Sequence, residues 1–256
     1  MNPPRASILG VRISAVDMRA ALGVIEKSIA DRRPGYICLA PAHLLMDGYR
    51  DPNLRKILNR STMVTPDGMA VVWLLRARGY RAVSRVYGPD LMLGTCERAQ
   101  SRGWRLYFVG GAQGVAEALL TRLRNRFPAL SVAGYVSPPF RSLTEEEDSR
   151  IVDLINAAKP DIVWVGLGSP RQERWMADHR ARLAAPVLVG VGAAFDFLSG
   201  AKPQAPHWIQ RSGLEWLFRL ATEPRRLWRR YAQYPLFGLL VAAESLGLLR
   251  VDPEAP

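Results

Sequence analysis

Three times in this chain a short apolar run ends at glycine, and twice an amphipathic stretch follows. Residues 105–111 (Arg-Leu-Tyr-Phe-Val-Gly-Gly) lead into residues 115–127, and residues 161–168 (Asp-Ile-Val-Trp-Val-Gly-Leu-Gly) lead into residues 171–183. Residues 186–192 (Pro-Val-Leu-Val-Gly-Val-Gly) form the third run. Runs this short and this apolar read as strands buried on both faces, and strands alternating with helices imply βαβ units around a parallel sheet. Weaker strand signals lie at residues 36–39 and 63–65, and helical patterns at 17–30 and 71–78. The expected class is α/β: a Rossmann-like parallel sheet with helices on both faces.

A change of texture sets the expected boundary. Pro203-Gln-Ala-Pro206 reads as a linker, and residues 211–230 beyond it hold six arginines against two glutamates, interleaved with Trp and Leu. The expectation is a main α/β domain over residues 1–202 and a basic helical appendage over 203–256, whose last residues, 251–256, fray. A formal charge of +12 points to anionic partners, whether nucleic acid, phosphorylated substrates or anionic lipid. The apolar stretch at residues 235–249 is interrupted by Glu244 and is shorter than the roughly 20 residues that cross a bilayer, so no transmembrane helix is expected. Residues 1–12 carry no long apolar stretch, and secretion is not indicated. Cys38 and Cys96, in or beside apolar runs, read as buried thiols of a reducing compartment.

Four motifs fall where this architecture places ligands, at the carboxyl ends of strands, and a fifth, around Arg85, offers a charged turn. Thr65-Pro-Asp-Gly-Met69 puts Asp67 and Gly68 at a strand end, where the acid can act as a general base or cap the next helix. Arg85-Val-Tyr-Gly-Pro-Asp90 offers Arg85 and Asp90 around a turn at Gly88; an arginine fork suits a diphosphate, and a surface ion pair is the plainer alternative. Gly110 and Gly111 precede a helix whose N–H groups can hold phosphate, although the full G-x-G-x-x-G pattern is absent. Gly166-Leu-Gly-Ser-Pro-Arg-Gln-Glu173 permits a ligand to approach at Gly168 and projects Gln172 and Glu173 from the first helical turn, either toward a base, ribose or sugar hydroxyl or as helix capping, with Glu173 favouring the dipole. Asp196, between Phe195 and Phe197, is a candidate sugar ligand or a paired structural acid. His43, His179 and His207 lack metal-ligand spacing, there is no Asp-x-Asp, and Ser169 is not in a nucleophile elbow; neither a metal nor a cofactor is expected.

Taken in order, Thr65-Pro-Asp-Gly-Met, Arg85-x-x-Gly-x-Asp90, Gly166-Leu-Gly-x-Pro-x-Gln-Glu173, Gly192-Ala-Ala-Phe-Asp196, Gly213-Leu-Glu-Trp-Leu-x-Arg-Leu220 and Glu223-Pro-Arg-Arg-Leu-x-Arg-Arg-Tyr231 resemble the WecG/TagA/CpsF glycosyltransferases, over roughly residues 8–235. The resemblance implies a metal-independent, inverting transfer from a UDP-sugar to a polyprenyl-diphosphate-linked sugar on the cytoplasmic leaflet, in bacterial surface polysaccharide or exopolysaccharide synthesis. Asp67 would be the base, and Arg85 and Gln172 would contact donor or leaving group. Arg219, Arg225, Arg226, Arg229 and Arg230 would serve the diphosphate and an anionic membrane surface. The apolar side chains Leu214, Trp216, Leu217, Leu220, Leu227 and Trp228 would form one face of an amphipathic helix among them. The protein would then be peripheral on the inner face of the cell membrane; self-association is left open.

The chain departs from that family at one place. Leu39-Ala-Pro41 stands where a Thr-x-Asn is usual, removing a hydroxyl and an amide from the sugar side, so that either the sugar differs from N-acetylmannosamine or the site is weaker; His43 lies close enough in sequence to substitute. Two rival readings are a basic nucleic-acid-binding protein, opposed by the lack of an RNA-binding motif, and an NAD-dependent oxidoreductase, opposed by the incomplete glycine fingerprint.

Overall fold

The computed structural model describes residues 3–254. Its elements fall into two compact units, one of Met1–Met18, Leu39–Tyr87 and Gln204–Pro256, the other of Arg19–Cys38 and Gly88–Pro203. Six strands form one sheet in the order β4-β3-β8-β7-β5-β6, where β3 is Gly35–Ala40, β4 Met63–Pro66, β5 Arg105–Gly110, β6 Ser131–Val136, β7 Ile162–Gly166 and β8 Val187–Gly190. The pairs β3–β8, β8–β7, β7–β5 and β5–β6 are all parallel. The class is α/β and Rossmann-like, as the three glycine-ended runs require.

In the second unit the central strands are almost wholly apolar because both faces are covered. Ile162, Val163, Trp164 and Val165 of β7 and Leu106, Phe108 and Val109 of β5 are fully buried. Helices α1 (Met18–Ala30), α5 (Gly88–Arg102), α6 (Val115–Arg126), α7 (Glu145–Ala158), α8 (Arg171–His179) and α9 (Ala194–Ser199) supply the cover. The start of α7 is fixed by a capping box, in which Thr144 accepts from the Glu147 N–H while the Glu147 side chain accepts from the Thr144 N–H. The edge strand β6 lacked a clear signal because it is half exposed and broken by Gly134, where a Cβ would stand 2.6 Å from the Tyr107 ring.

The first unit opens with an antiparallel hairpin, β1 (Arg5–Ile8) and β2 (Val11–Ser14). Its two-residue turn, Leu9-Gly10, has φ of 49° and 80°, the positive pair that matches strand twist in tight hairpins. The Leu9 N–H donates to Glu244 Oε1 at 2.9 Å, and Glu244 also pairs with Arg78 at 2.5 Å. Helices α2 (Ala42–Arg50), α3 (Pro52–Arg60) and α4 (Met69–Ala77) follow. The α3 start is capped by Asp51, which accepts from the Asn53 and Leu54 N–H groups.

The C-terminal residues depart from the expectation in two respects. The basic stretch is not one amphipathic helix but α10 (His207–Ser212), α11 (Glu215–Thr222) and α12 (Pro224–Tyr231), followed by α13 (Tyr234–Ser245). Gly213, at φ 80°, ends α10, and Pro224, which cannot continue a preceding helix, opens α12. Of the apolar face expected there, Leu227 is buried, while Leu214, Trp216, Leu217 and Trp228 stay substantially exposed. Residues 253 and 254, expected to fray, are tied down: Asn59 Nδ2 donates to the Pro253 carbonyl at 2.9 Å and Arg12 pairs with Glu254 at 2.7 Å. Residues 255–256 lie outside the described residues. No helix among the described residues is long and apolar enough to cross a membrane.

Candidate active site

In the first unit the chemistry gathers around Asp67. Strand β4 carries the chain to Asp67, whose N–H reaches the Ala40 carbonyl at the end of β3 (3.4 Å), and Gly68 follows with φ 133° before α4. Asp67 makes no capping bond to α4, whose cap is Gly68. Its carboxylate instead meets Arg85, with Nε and Nη2 at 3.4 and 3.3 Å from Oδ1. The other arm of the guanidinium, Nη1, lies 2.6 Å from Glu215 Oε2, and the cation stacks over the Tyr87 ring at 4.1 Å. One arginine therefore sits between two carboxylates and an aromatic face. Burial alone would lower the Arg85 pKa, but Asp67 and Glu215 outweigh it and hold the cation firmly charged. The Asp67 pKa is raised: burial is the largest cause and Glu215 adds to it, against the opposing pull of Arg85 and Arg219.

His43, in the first turn of α2, is 5% exposed, and neither ring nitrogen has a hydrogen-bond partner. Burial, then the Arg230 and Arg219 charges, keep its pKa well below the ordinary histidine range, so the imidazole is neutral. Arg219 and Arg230 are half-buried, whereas Arg225, Arg226 and Arg229 are exposed. Arg226 forms a bidentate pair with Glu223 (2.6 and 2.6 Å), and Arg229 lies over its neighbour Trp228 at 5.4 Å. Trp216, Tyr231 and Tyr234 make edge-on ring contacts with one another at 5.2–5.9 Å. The tyrosine pKa values are raised, with burial the largest cause for both.

The second unit carries its own set, at the glycine-rich strand ends. Gly110 has φ 119°, and a Cβ there would stand 2.5 Å from the Gly166 carbonyl oxygen, so close strand approach demands glycine. The Gly111 N–H donates to that same Gly166 carbonyl at 3.3 Å, which removes it from the phosphate donors expected there. Gly168 has φ 79° with open space around its Cβ position: the backbone conformation, not crowding, calls for glycine. Gln172 and Glu173 of α8 are both buried and bonded to each other, Gln172 Nε2 donating to Glu173 Oε1 at 2.8 Å. Gln172 Oε1 has no hydrogen-bond partner and lies 3.4 Å from the Cβ position of Gly192, close over the strand end. Asp196 is paired with Lys202 at 2.8 Å. Gly88 and Asp90 do not form a turn: both belong to the first turn of α5, Gly88 buried and Asp90 exposed, where an acid favours the helix dipole. Among the described residues no group of three or more His, Cys, Asp or Glu side chains could hold a metal ion.

Glu215 was missed as a site residue. It stood within the Gly213-Leu-Glu-Trp-Leu-x-Arg-Leu220 motif, four residues before Arg219, but no role was assigned to it. Tyr87 and Tyr231 stood inside quoted motifs without a role assigned to them, and Tyr234 gave no signal.

Comparison with known proteins places this geometry. The model of the glycosyl transferase WecG/TagA/CpsF family matches residues 6–250. A protein of Bacillus spizizenii named N-acetylglucosaminyldiphosphoundecaprenol N-acetyl-beta-D-mannosaminyltransferase is 31% identical over 214 residues, 83% of this chain and 81% of its own length. Proteins of the same name from Bacillus subtilis and Staphylococcus aureus are 28% and 26% identical, over 90% and 94% of this chain and 88% and 93% of their own lengths. A match of this extent, carried through both units, makes the chain a member of the WecG/TagA/CpsF family of glycosyltransferases.

Proposed function

We propose that the protein is an inverting glycosyltransferase that moves a sugar from a UDP-sugar to a polyprenyl-diphosphate-linked acceptor. The observation that carries this is Asp67, a strand-end carboxylate with a raised pKa, bonded to a shared arginine through one oxygen only. Asp67 takes the proton of the acceptor hydroxyl. The hydroxyl oxygen bonds to the anomeric carbon from the face opposite the diphosphate, and the bond from that carbon to the diphosphate oxygen breaks, its electron pair leaving with UDP. A base with a raised pKa is suited to this near neutral pH. The departing charge needs cations. Arg85, with Arg219 and Arg230 half-buried in the same unit, supplies them, without a metal. His43, neutral and unbonded, is a hydrogen-bonding group for the substrate in place of those absent at Leu39-Ala-Pro41. In the second unit, the bare Gln172 Oε1 is an acceptor for a ligand N–H or O–H.

The relatives' name describes transfer of N-acetyl-β-D-mannosamine to N-acetylglucosaminyl-diphosphoundecaprenol. The donor here is proposed to be a UDP-hexosamine of that kind, and the acceptor a lipid diphosphate carrying one sugar, with the protein resting on an anionic membrane face. The experiment is a screen of UDP-sugars against a short-chain polyprenyl-diphosphate N-acetylglucosamine, in excess EDTA, with the product anomer read by NMR. Transfer with inversion is expected. Retention of configuration, or activity that vanishes with EDTA and returns with magnesium or manganese, would overturn the mechanism.

A further inference from the structure

Two carboxylates compete for Arg85, and they do so unequally. Glu215 Oε2 lies 2.6 Å from Nη1, a close ion pair without hydrogen-bond alignment, while Asp67 Oδ1 accepts from Nε and Nη2 at 3.4 and 3.3 Å. Both carboxylates are mostly buried, with side-chain exposures of 22% for Asp67 and 11% for Glu215. Had Arg85 closed bidentately on Asp67, the acid would be held as a tightly paired anion and would be a poor base. We propose that Glu215 is a positioning residue: it draws Arg85 toward itself and leaves Asp67 as the carboxylate with proton affinity to spare. This rests on the reading of Asp67 as the general base.

The surroundings agree. The groups that face Asp67 are Arg85 and Tyr87 from the loop after α4, Glu215 and Arg219 from α11, and Tyr234 from the start of α13. Glu215 is the second carboxylate among them, and burial, the largest cause, pushes the Tyr87 and Tyr234 phenols up. Glu215 thus acts on Asp67 twice, by like charge and by occupying the shared cation. It also explains why a glutamate sits on a helix otherwise read as cationic: α11 brings one acid and Arg219 one turn apart.

The test reads the carboxyl directly. Protein with carbon-13 at the aspartate side-chain carboxyls is titrated by NMR without donor or acceptor, and the Asp67 signal is identified by its loss in Asp67→Asn. In Glu215→Gln the Asp67 midpoint is expected to fall by about one pH unit, and in Glu215→Asp, which keeps the charge, to stay near the parent value. If Glu215→Gln does not fold, Glu215→Met removes the charge with apolar volume and serves in its place. The acid limb of kcat/KM for transfer should move down with the midpoint, and the plateau should fall severalfold because the base is weaker. An Asp67 midpoint unmoved or raised in the charge-removing variant would overturn the proposal, and so would a uniform loss of rate with no shift of the titration, which is what a merely structural Glu215 gives. A midpoint that falls while the acid limb of transfer stays in place would instead leave Glu215's control of Asp67 standing and remove Asp67 as the base.

Discussion

Asp67 carries a conflict between function and stability. Burial raises its pKa above the unfolded value, so the folded state binds the proton more tightly, and stability falls as pH rises from the ordinary carboxylate range through the raised value. Asp67→Asn removes that dependence. Turnover should drop by about 10²–10⁴-fold with UDP binding retained, while the melting temperature at neutral pH should be equal to or above that of the parent. Thermal unfolding across pH 3–8 checks the sign, since the loss of Tm with rising pH should flatten in the variant. Residue-scale contrasts also appear among the glycines. Gly110→Ala must push a Cβ to 2.5 Å from the Gly166 oxygen at φ 119°, and is expected to cost more than 2 kcal/mol, while Gly23→Ala, exposed in α1 with nothing within 4 Å, should add about 0.4–1 kcal/mol. Denaturant unfolding of the two variants gives both signs. Asp67 and Gln172 were legible because their motifs follow strand ends, and Arg85 because it opens a motif of its own in the loop before α5. Glu215 was not, because an acid's partner across 130 residues of chain leaves no local mark.

At the scale of elements, β5, β7 and β8 were readable because burial on both faces leaves unbroken apolar runs that glycine ends. The hairpin β1–β2 and the helices α2 and α3 were not. Four-residue strands are too short to show alternation, and the α2 cap at Pro41 makes no side-chain bond. The basic stretch misled because its composition fits one amphipathic helix, while Gly213 and Pro224 break it in three. That break sorts the arginines. Arg225, Arg226 and Arg229 lie exposed on α12, whereas Arg230 at its end is half-buried near His43. Changing the exposed three to Gln should weaken binding to anionic vesicles by about 3 kcal/mol, roughly two orders of magnitude at low salt, with folding and Asp67 titration unchanged. Sedimentation with vesicles rich in anionic lipid measures it, and unaltered binding would remove α12 from the membrane contact.

On the scale of the whole molecule, the expected division at residue 203 coincides with a change of unit between Pro203 and Gln204, but residues 204–256 are not a unit by themselves. They complete the one that holds residues 1–18 and 39–87. A chain ending at residue 203 would leave Arg85 without Glu215, Arg78 without Glu244, and the Leu9 N–H without its acceptor. Such a truncation should lose the cooperative unfolding of the first unit rather than remain a folded, membrane-free enzyme. Hydrogen exchange checks this, with protection expected to vanish over residues 5–14 and 63–77 in the truncated chain. A fully protected truncation would restore the appendage reading.

The Leu9–Glu244 bond joins residues 235 apart in the chain, and it sets an order of events at the ribosome. Residues 1–87 emerge long before residue 204, and at roughly 5–20 residues per second the wait between them is on the order of ten seconds. During that interval the second unit, whose chain is complete by Pro203, has all it needs to fold, while Arg85 still lacks its tighter partner. A nascent chain short of residue 215 therefore holds Asp67 and Arg85 without the second carboxylate. On the proposed role of Asp67, transfer has to wait for the segment beyond residue 203, so a copy that stops short of it would leave activated sugars untouched.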